Sequence, residues 1–178
     1  HAAEQMAFLS ATFSERSTGY SLQMEPCFMP VLTKEILQKY VRKDLPGREI
    51  FLVQLQDYTR QLAKQKMIYI CSMEGILRFL QNGRIPEIPD GLYEIPSASD
   101  RIQIVKALLA PERATRLRIL KNSIGNTETP VYLYITPKTG TLRLPLATDQ
   151  MVNLQIQETG MLEAFYDFCE NLDEEMFY

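Results

Sequence analysis

Val131-Tyr132-Leu133-Tyr134-Ile135, then Thr136-Pro137-Lys138-Thr139-Gly140, then Thr141-Leu142-Arg143-Leu144, is the stretch on which the fold turns. Two runs of β-branched, aromatic and aliphatic residues flank a Pro-Lys-Thr-Gly turn, the pattern of an antiparallel hairpin. Working outward toward the C-terminus, Val152-Asn153-Leu154-Gln155-Ile156 alternates apolar with polar and predicts a half-buried strand. Toward the N-terminus, Leu117 and Ile119 alternate with Arg116 and Arg118, a further strand. Met67-Ile68-Tyr69-Ile70-Cys71 is a nearly continuous apolar run of strand length and is read as a buried strand. Tyr20, Leu22 and Met24 alternate before Pro26 and Pro30, predicting a short strand followed by a loop.

The helical signals surround these runs. Residues 3–15 are rich in Ala, Met, Phe and Ser and read as a first helix. Thr33 offers an N-cap to a helix whose stripe is Ile36, Leu37, Tyr40 and Val41. Pro46-Gly47 breaks it, and residues 48–65 carry the clearest amphipathic pattern, with Phe51, Leu55, Tyr58 and Leu62 inward. Residues 74–81 predict a short helix with Ile76, Leu77 and Leu80 inward, closed by Asn82-Gly83. Pro86, Pro89 and Pro96 forbid a helix over residues 85–96. Ser97 or Ser99 caps the next helix, with Ile102, Val105 and Leu109 inward, and a last helix over 161–171 buries Leu162, Phe165, Cys169 and Leu172.

Helices first and strands later give an α+β fold. The expectation is an antiparallel sheet of about four to five strands with helices packed on it, helix-rich in its N-terminal half and strand-rich in its C-terminal half. At 178 residues and 46% hydrophobic, residues 1–178 are read as one α+β domain with enough apolar surface for a core. The chain opens on His1 instead of Met, as expected of a fragment of a longer protein, and His1 is left out of the functional argument. No apolar run reaches the ~18 residues that a membrane span needs, and no secretory leader pattern is present. Cys27, Cys71 and Cys169 are odd in number and lack CxxC pairing, which fits reduced thiols and a cytoplasmic location.

Composition narrows the chemistry. A net charge of −3 opposes a phosphate backbone, so no direct nucleic-acid contact is expected. The only histidine is His1, so no internal imidazole can serve a Ser-His-Asp or Cys-His device or a zinc site. The eight glycines show neither GxGxxG nor GxxxxGK[ST] spacing, and residues 125–129 read as a polar loop before a strand. No cofactor and no metal are therefore expected, and the chain is read as not an enzyme. Asp90, Asp100, Glu128 and Asp149 leave open a carboxylate-dependent hydrolase, although Asp100 near a helix start is favoured by the helix dipole alone.

Arg113, Arg116, Arg118 and Lys121 form the densest positive group. Arg116 and Arg118 share a strand face and offer forked donors to a carboxylate or phosphate, while charge on an edge strand also prevents unwanted pairing. The C-terminal stretch carries Glu158, Glu163, Asp167, Glu170, Asp173, Glu174 and Glu175 without a Lys or Arg, and ends in an apolar tip, Met176-Phe177-Tyr178. Its partner is the chain's own basic face, another subunit or solvent, and the tip reads as docked. If a ligand pocket exists, Tyr69, Tyr132 and Tyr134 are its expected aromatic walls and Arg116 or Arg118 its polar anchor.

Two segments carry a resemblance. Residues 68–89, from Ile68-Tyr69-Ile70-Cys71 to Gly83-Arg84-Ile85-Pro86-Glu87-Ile88-Pro89, and residues 152–168, Val152-Asn153-Leu154-Gln155-Ile156 with Leu162-Glu163-Ala164-Phe165-Tyr166-Asp167-Phe168, are one such pair. Together they resemble the C-terminal sensor region that follows the helix-turn-helix domain in some bacterial transcription regulators. The resemblance implies a regulatory, ligand-sensing domain that forms a homodimer, answers a small-molecule or anionic effector, and has its DNA-binding part outside this chain. The alternatives kept beside it are a protein-interaction or dimerisation module without a ligand, and the carboxylate hydrolase.

Overall fold

The structure, a computed structural model, describes residues 18–113, 116–124, 132–145 and 151–178. Its strands are β1 (Thr18–Gln23), β2 (Lys66–Ser72), β3 (Leu117–Leu120), β4 (Tyr132–Ile135), β5 (Gly140–Pro145) and β6 (Met151–Ile156). Its α-helices are α1 (Lys34–Tyr40), α2 (Arg48–Lys64), α3 (Met73–Asn82), α4 (Ala98–Leu108) and α5 (Thr159–Glu170). The helix expected over residues 3–15 lies outside the described residues. The chain forms two compact units: a sheet unit of Ser17–Pro26, Lys66–Leu77 and Pro111–Tyr178, and a unit whose described parts are Cys27–Gln65 and Arg78–Ala110.

In the sheet unit all six strands form one sheet in the order β3-β2-β1-β4-β5-β6. The α+β class holds, and the sheet itself differs from the expected antiparallel one of about four to five strands. β1 runs parallel to β2, and β2 parallel to β3, while β1–β4, β4–β5 and β5–β6 are antiparallel. Parallel neighbours need long crossovers. The helical runs between β1 and β2 and between β2 and β3 supply them. The expected helix-first, strand-last division also gives way, because β1 and β2 belong to the N-terminal half and lie inside the sheet.

One face of this sheet carries the core. Tyr20, Leu22, Ile70, Leu120, Leu133, Ile135 and Ile156 pack with Leu162 and Cys169 of α5 and with Phe177. Burying each large aliphatic or aromatic side chain contributes about 1.5–3 kcal/mol. Tyr166 of α5 meets the Tyr20 ring edge-on at 5.1 Å between centroids. The β4–β5 turn is fixed by Thr136, whose amide donates to Thr139 O at 2.9 Å and whose Oγ1 accepts from Lys138 N and Thr139 N. At the β2–α3 junction Ser72 Oγ donates to Met24 O and accepts from Gly75 N, both at 3.0 Å.

In the other unit Thr33 Oγ1 accepts from Ile36 N at 3.3 Å, the expected cap of α1. Phe51, Leu55, Tyr58 and Leu62 of α2 are buried as their spacing predicts. Phe28 lies on Phe79 with ring centroids 4.0 Å apart. Two inward faces differ in part from expectation: Ile76 and Val105 are buried as their spacing predicts, but Leu77, Ile102 and Leu109 are exposed, while Phe79, Ile104 and Leu108 are buried. Where two apolar residues adjoin, as at Ile76-Leu77 and Leu108-Leu109, two stripes about 100° apart are possible, and packing chooses between them. No described helix is long and apolar enough to cross a membrane.

Candidate functional site

The second face of the sheet is polar over β1, β4, β5 and β6. Residues paired in register project to the same side of a pleated sheet. Leu117, Tyr69, Ser21, Tyr134, Thr141 and Gln155 are paired in turn across all six strands. Two residues along each strand on the same face stand Ile119 and Cys71 on β3 and β2, and the paired set Gln23, Tyr132, Arg143 and Asn153 on β1, β4, β5 and β6. The intervening row, Arg118, Ile70, Leu22, Leu133, Leu142 and Leu154, is apolar except for Arg118 at its β3 end and belongs to the core side. Alternation along β1, β4, β5 and β6 thus sorts apolar from polar side chains, whereas on β3 Leu117 and Ile119 lie on the second face and Arg118 on the core side.

The Thr136 turn determines this register. It sets Tyr134 against Thr141 and Tyr132 against Arg143, and a slip of one residue on β5 would exchange Arg143 for a leucine. Ser21, the smallest side chain of the row, separates Tyr69 from Tyr134, so the two rings stand about 10 Å apart at their backbones over a low floor. Tyr132 Oη donates to Glu25 Oε2 at 3.3 Å. The Arg143 guanidinium lies 5.7 Å from the centre of the Tyr132 ring.

Burial makes this face distinctive. Ser21 and Gln23 are each 9% exposed and Thr141 5%. Gln23 Nε2, Thr141 Oγ1 and Arg143 Nε are buried without a hydrogen-bond partner among the described residues. Leaving such a group unpaired costs about 1–3 kcal/mol, so three on one small patch stand out against an ordinary interior. Cys71 is also buried on this face, and that burial pushes its thiol up to about 12, so at neutral pH it is a neutral, weakly polar group. The arrangement offers hydrogen-bond donors beside aromatic surface.

The structure brings the expected tyrosines onto one face and puts Arg118, one of the two expected anchors, on the other. Tyr69, Tyr132 and Tyr134 share the polar face. Arg118 is paired with Ile70 and so belongs to the opposite, core-bearing side. There its guanidinium lies 3.8 Å from the centre of the Phe177 ring and donates to Glu174 Oε1 at 2.5 Å. Arg116 is exposed in the turn before β3, and its carbonyl accepts from Tyr69 N at 2.7 Å. The cation on the tyrosine face is Arg143. In sequence it is one polar position of an alternating strand, and Gln23 and Thr141 are equally unmarked, because only cross-strand register joins them.

The acidic C-terminal stretch finds its partner on the chain's own basic face. Besides Arg118–Glu174, Lys121 Nζ donates to Glu175 O at 2.9 Å. Lys121 N donates to Met176 O at 2.9 Å and Tyr178 N to Ile119 O at 3.0 Å, with Phe177 bridging to Leu120, so this segment lies along β3 as a short added strand. Of the four loop carboxylates, Asp90 pairs with Arg84 at 3.1 Å, and Asp100 accepts from Lys39 at 2.5 Å and from Tyr40 Oη. Glu128 and Asp149, with the loop at 125–129, lie outside the described residues. Among the described residues no group of three His, Cys, Asp or Glu side chains is placed to hold a metal ion.

No protein-family model, no curated protein and no solved structure matches this chain.

Proposed function

We propose that this chain is a non-catalytic, ligand-sensing regulatory domain, of the kind expected from its resemblance to the sensor region of bacterial transcription regulators. The observation that carries the reading is the buried polar face with Tyr69, Tyr132 and Tyr134 around Ser21. A sheet face that serves stability alone is better filled by aliphatic side chains. Three tyrosines supply rigid amphipathic surface at low entropic cost, which suits a binding site. The two segments of the resemblance fall on β2 with α3 and on β6 with α5, and β2 supplies Tyr69 to this face.

In this reading the chain works as a homodimer whose DNA-binding part lies outside residues 1–178. Ligand occupancy favours one of two subunit arrangements through its differential affinity for them. Isothermal calorimetry against a panel of small acids, amines, sugars and nucleosides tests the sensing step. We expect at least one class to bind, and Tyr134→Ala to weaken it by about tenfold or more. Absence of binding by every class, or equal binding by the variant, overturns the reading.

A further inference from the structure

Resting on that reading of the tyrosine face, we propose that its ligand is a monocarboxylate whose carboxylate is taken between Arg143 and Gln23. Gln23, Tyr132 and Arg143 are in register on three successive strands, so Gln23 and Arg143 flank one tyrosine ring from its two sides. Each holds a buried N–H donor that no acceptor among the described residues meets, Nε2 on Gln23 and Nε on Arg143. Thr141, two residues before Arg143 on the same face, adds a buried hydroxyl that is likewise unpaired. The protein side of this patch is therefore rich in donors. A complementary group has to bring acceptors, and a planar carboxylate brings two oxygens in the plane a guanidinium edge prefers.

Charge selects a monoanion. Arg143 is the one cation among the residues placed on this face by register, and it has no carboxylate partner among the described residues. Its guanidinium lies 5.7 Å from the centre of the Tyr132 ring. Glu25, held by Tyr132 Oη, places a carboxylate beside the same ring. One positive charge with a negative charge close by suits a singly charged ligand. A phosphate carrying nearly two charges would be left uncompensated. Tyr69 and Tyr134, in register with Ser21 between them, offer aromatic surface to the apolar end of the ligand.

Ligand-observed saturation-transfer NMR on the whole chain tests this, with benzoate and acetate as probes, benzamide and benzylamine as uncharged and cationic counterparts, and inorganic phosphate as the dianion. The expected result is benzoate bound with Kd about 1 mM or tighter, as an anchored fragment of that size gives. Benzamide, benzylamine and phosphate should each bind at least tenfold more weakly. Arg143→Gln should lower benzoate affinity tenfold or more while leaving benzamide unchanged. Arg143→Lys should restore part of the loss. Should Arg143→Gln fail to fold, Gln23→Leu removes the second donor at similar volume and should give the same selective loss. Benzamide binding as well as benzoate, or benzoate unaffected by both variants, overturns the carboxylate assignment and leaves the binding face standing. Binding of no probe to the wild-type chain overturns the assignment and the face together.

Discussion

Burial decides the reactivity of the three thiols. Cys71 is pushed up to about 12 and Cys169 to about 11 by removal from water, whereas Cys27 is half-buried. At pH 8 the two buried thiols are ionised to roughly one part in ten thousand and one part in a thousand, and the thiolate is the reactive form. Ellman's reagent should therefore titrate one thiol in the native chain and three after denaturation; rapid reaction of two or three native thiols would contradict the burial. Asp100 behaves differently. Hydrogen bonds from Lys39 and Tyr40 hold its carboxyl below the usual carboxylate value. Such a group adds stability above the ordinary pKa, and the contribution is lost as pH falls through the lower folded value. Asp100→Asn should lower Tm at pH 7, and the gap from wild type should close as the pH falls below the usual carboxylate range. At this scale the sequence was half legible. Tyr132 and Tyr134 are two apart on one strand, so their common face followed from period two. Tyr69 and Arg118 sit on other strands, whose phase relative to β4 appears only through pairing, and Arg118 proved to be on the other side.

Elements were the most legible level, since length, caps and periodicity are local. Thr33 and Ser97 cap the helices that follow them, and the hairpin, the closing helix and the strand at 151–156 stand where their patterns place them. Inward faces were less certain wherever two apolar residues adjoin, as at Ile76-Leu77 and Leu108-Leu109. Close backbone packing was invisible altogether. A Cβ at Gly75 of α3 would collide with Met24 O, a backbone atom that cannot swing aside. Gly75→Ala should cost about 3 kcal/mol or more despite the better helix propensity of alanine, as overpacking does; a neutral or stabilising result in urea titration would count against this junction. The C-terminal segment along β3 is held chiefly by Phe177, which is buried and stacked by Arg118. Phe177→Ala should cost about 3–4 kcal/mol. It should also raise hydrogen exchange at Lys121 and Tyr178, whose amides close the segment, with little change at Leu133 in the sheet interior.

For the molecule as a whole, composition and element order sufficed for the α+β class, while strand order did not follow from them. A chain reader pairs strands that are near in sequence, and that rule serves β4, β5 and β6. It fails for β1, which pairs parallel with β2 and antiparallel with β4 and so joins the parallel and antiparallel parts of the sheet. Pairings this distant carry a large loop-closure cost before they are rewarded. Refolding should accordingly fall in the millisecond-to-second range typical of non-local topologies, and a microsecond phase carrying the full amplitude in stopped-flow or temperature-jump traces would be inconsistent with it. The position of β1 also matters while the chain is being made. Tyr20 leaves the ribosome on the order of a hundred residues ahead of Ile135, its partner across the sheet. Until translation reaches β4, one flank of the first strand is an open hydrogen-bonding template in a growing polypeptide. Chaperone dependence during synthesis should therefore be concentrated in the interval before residue 135 emerges.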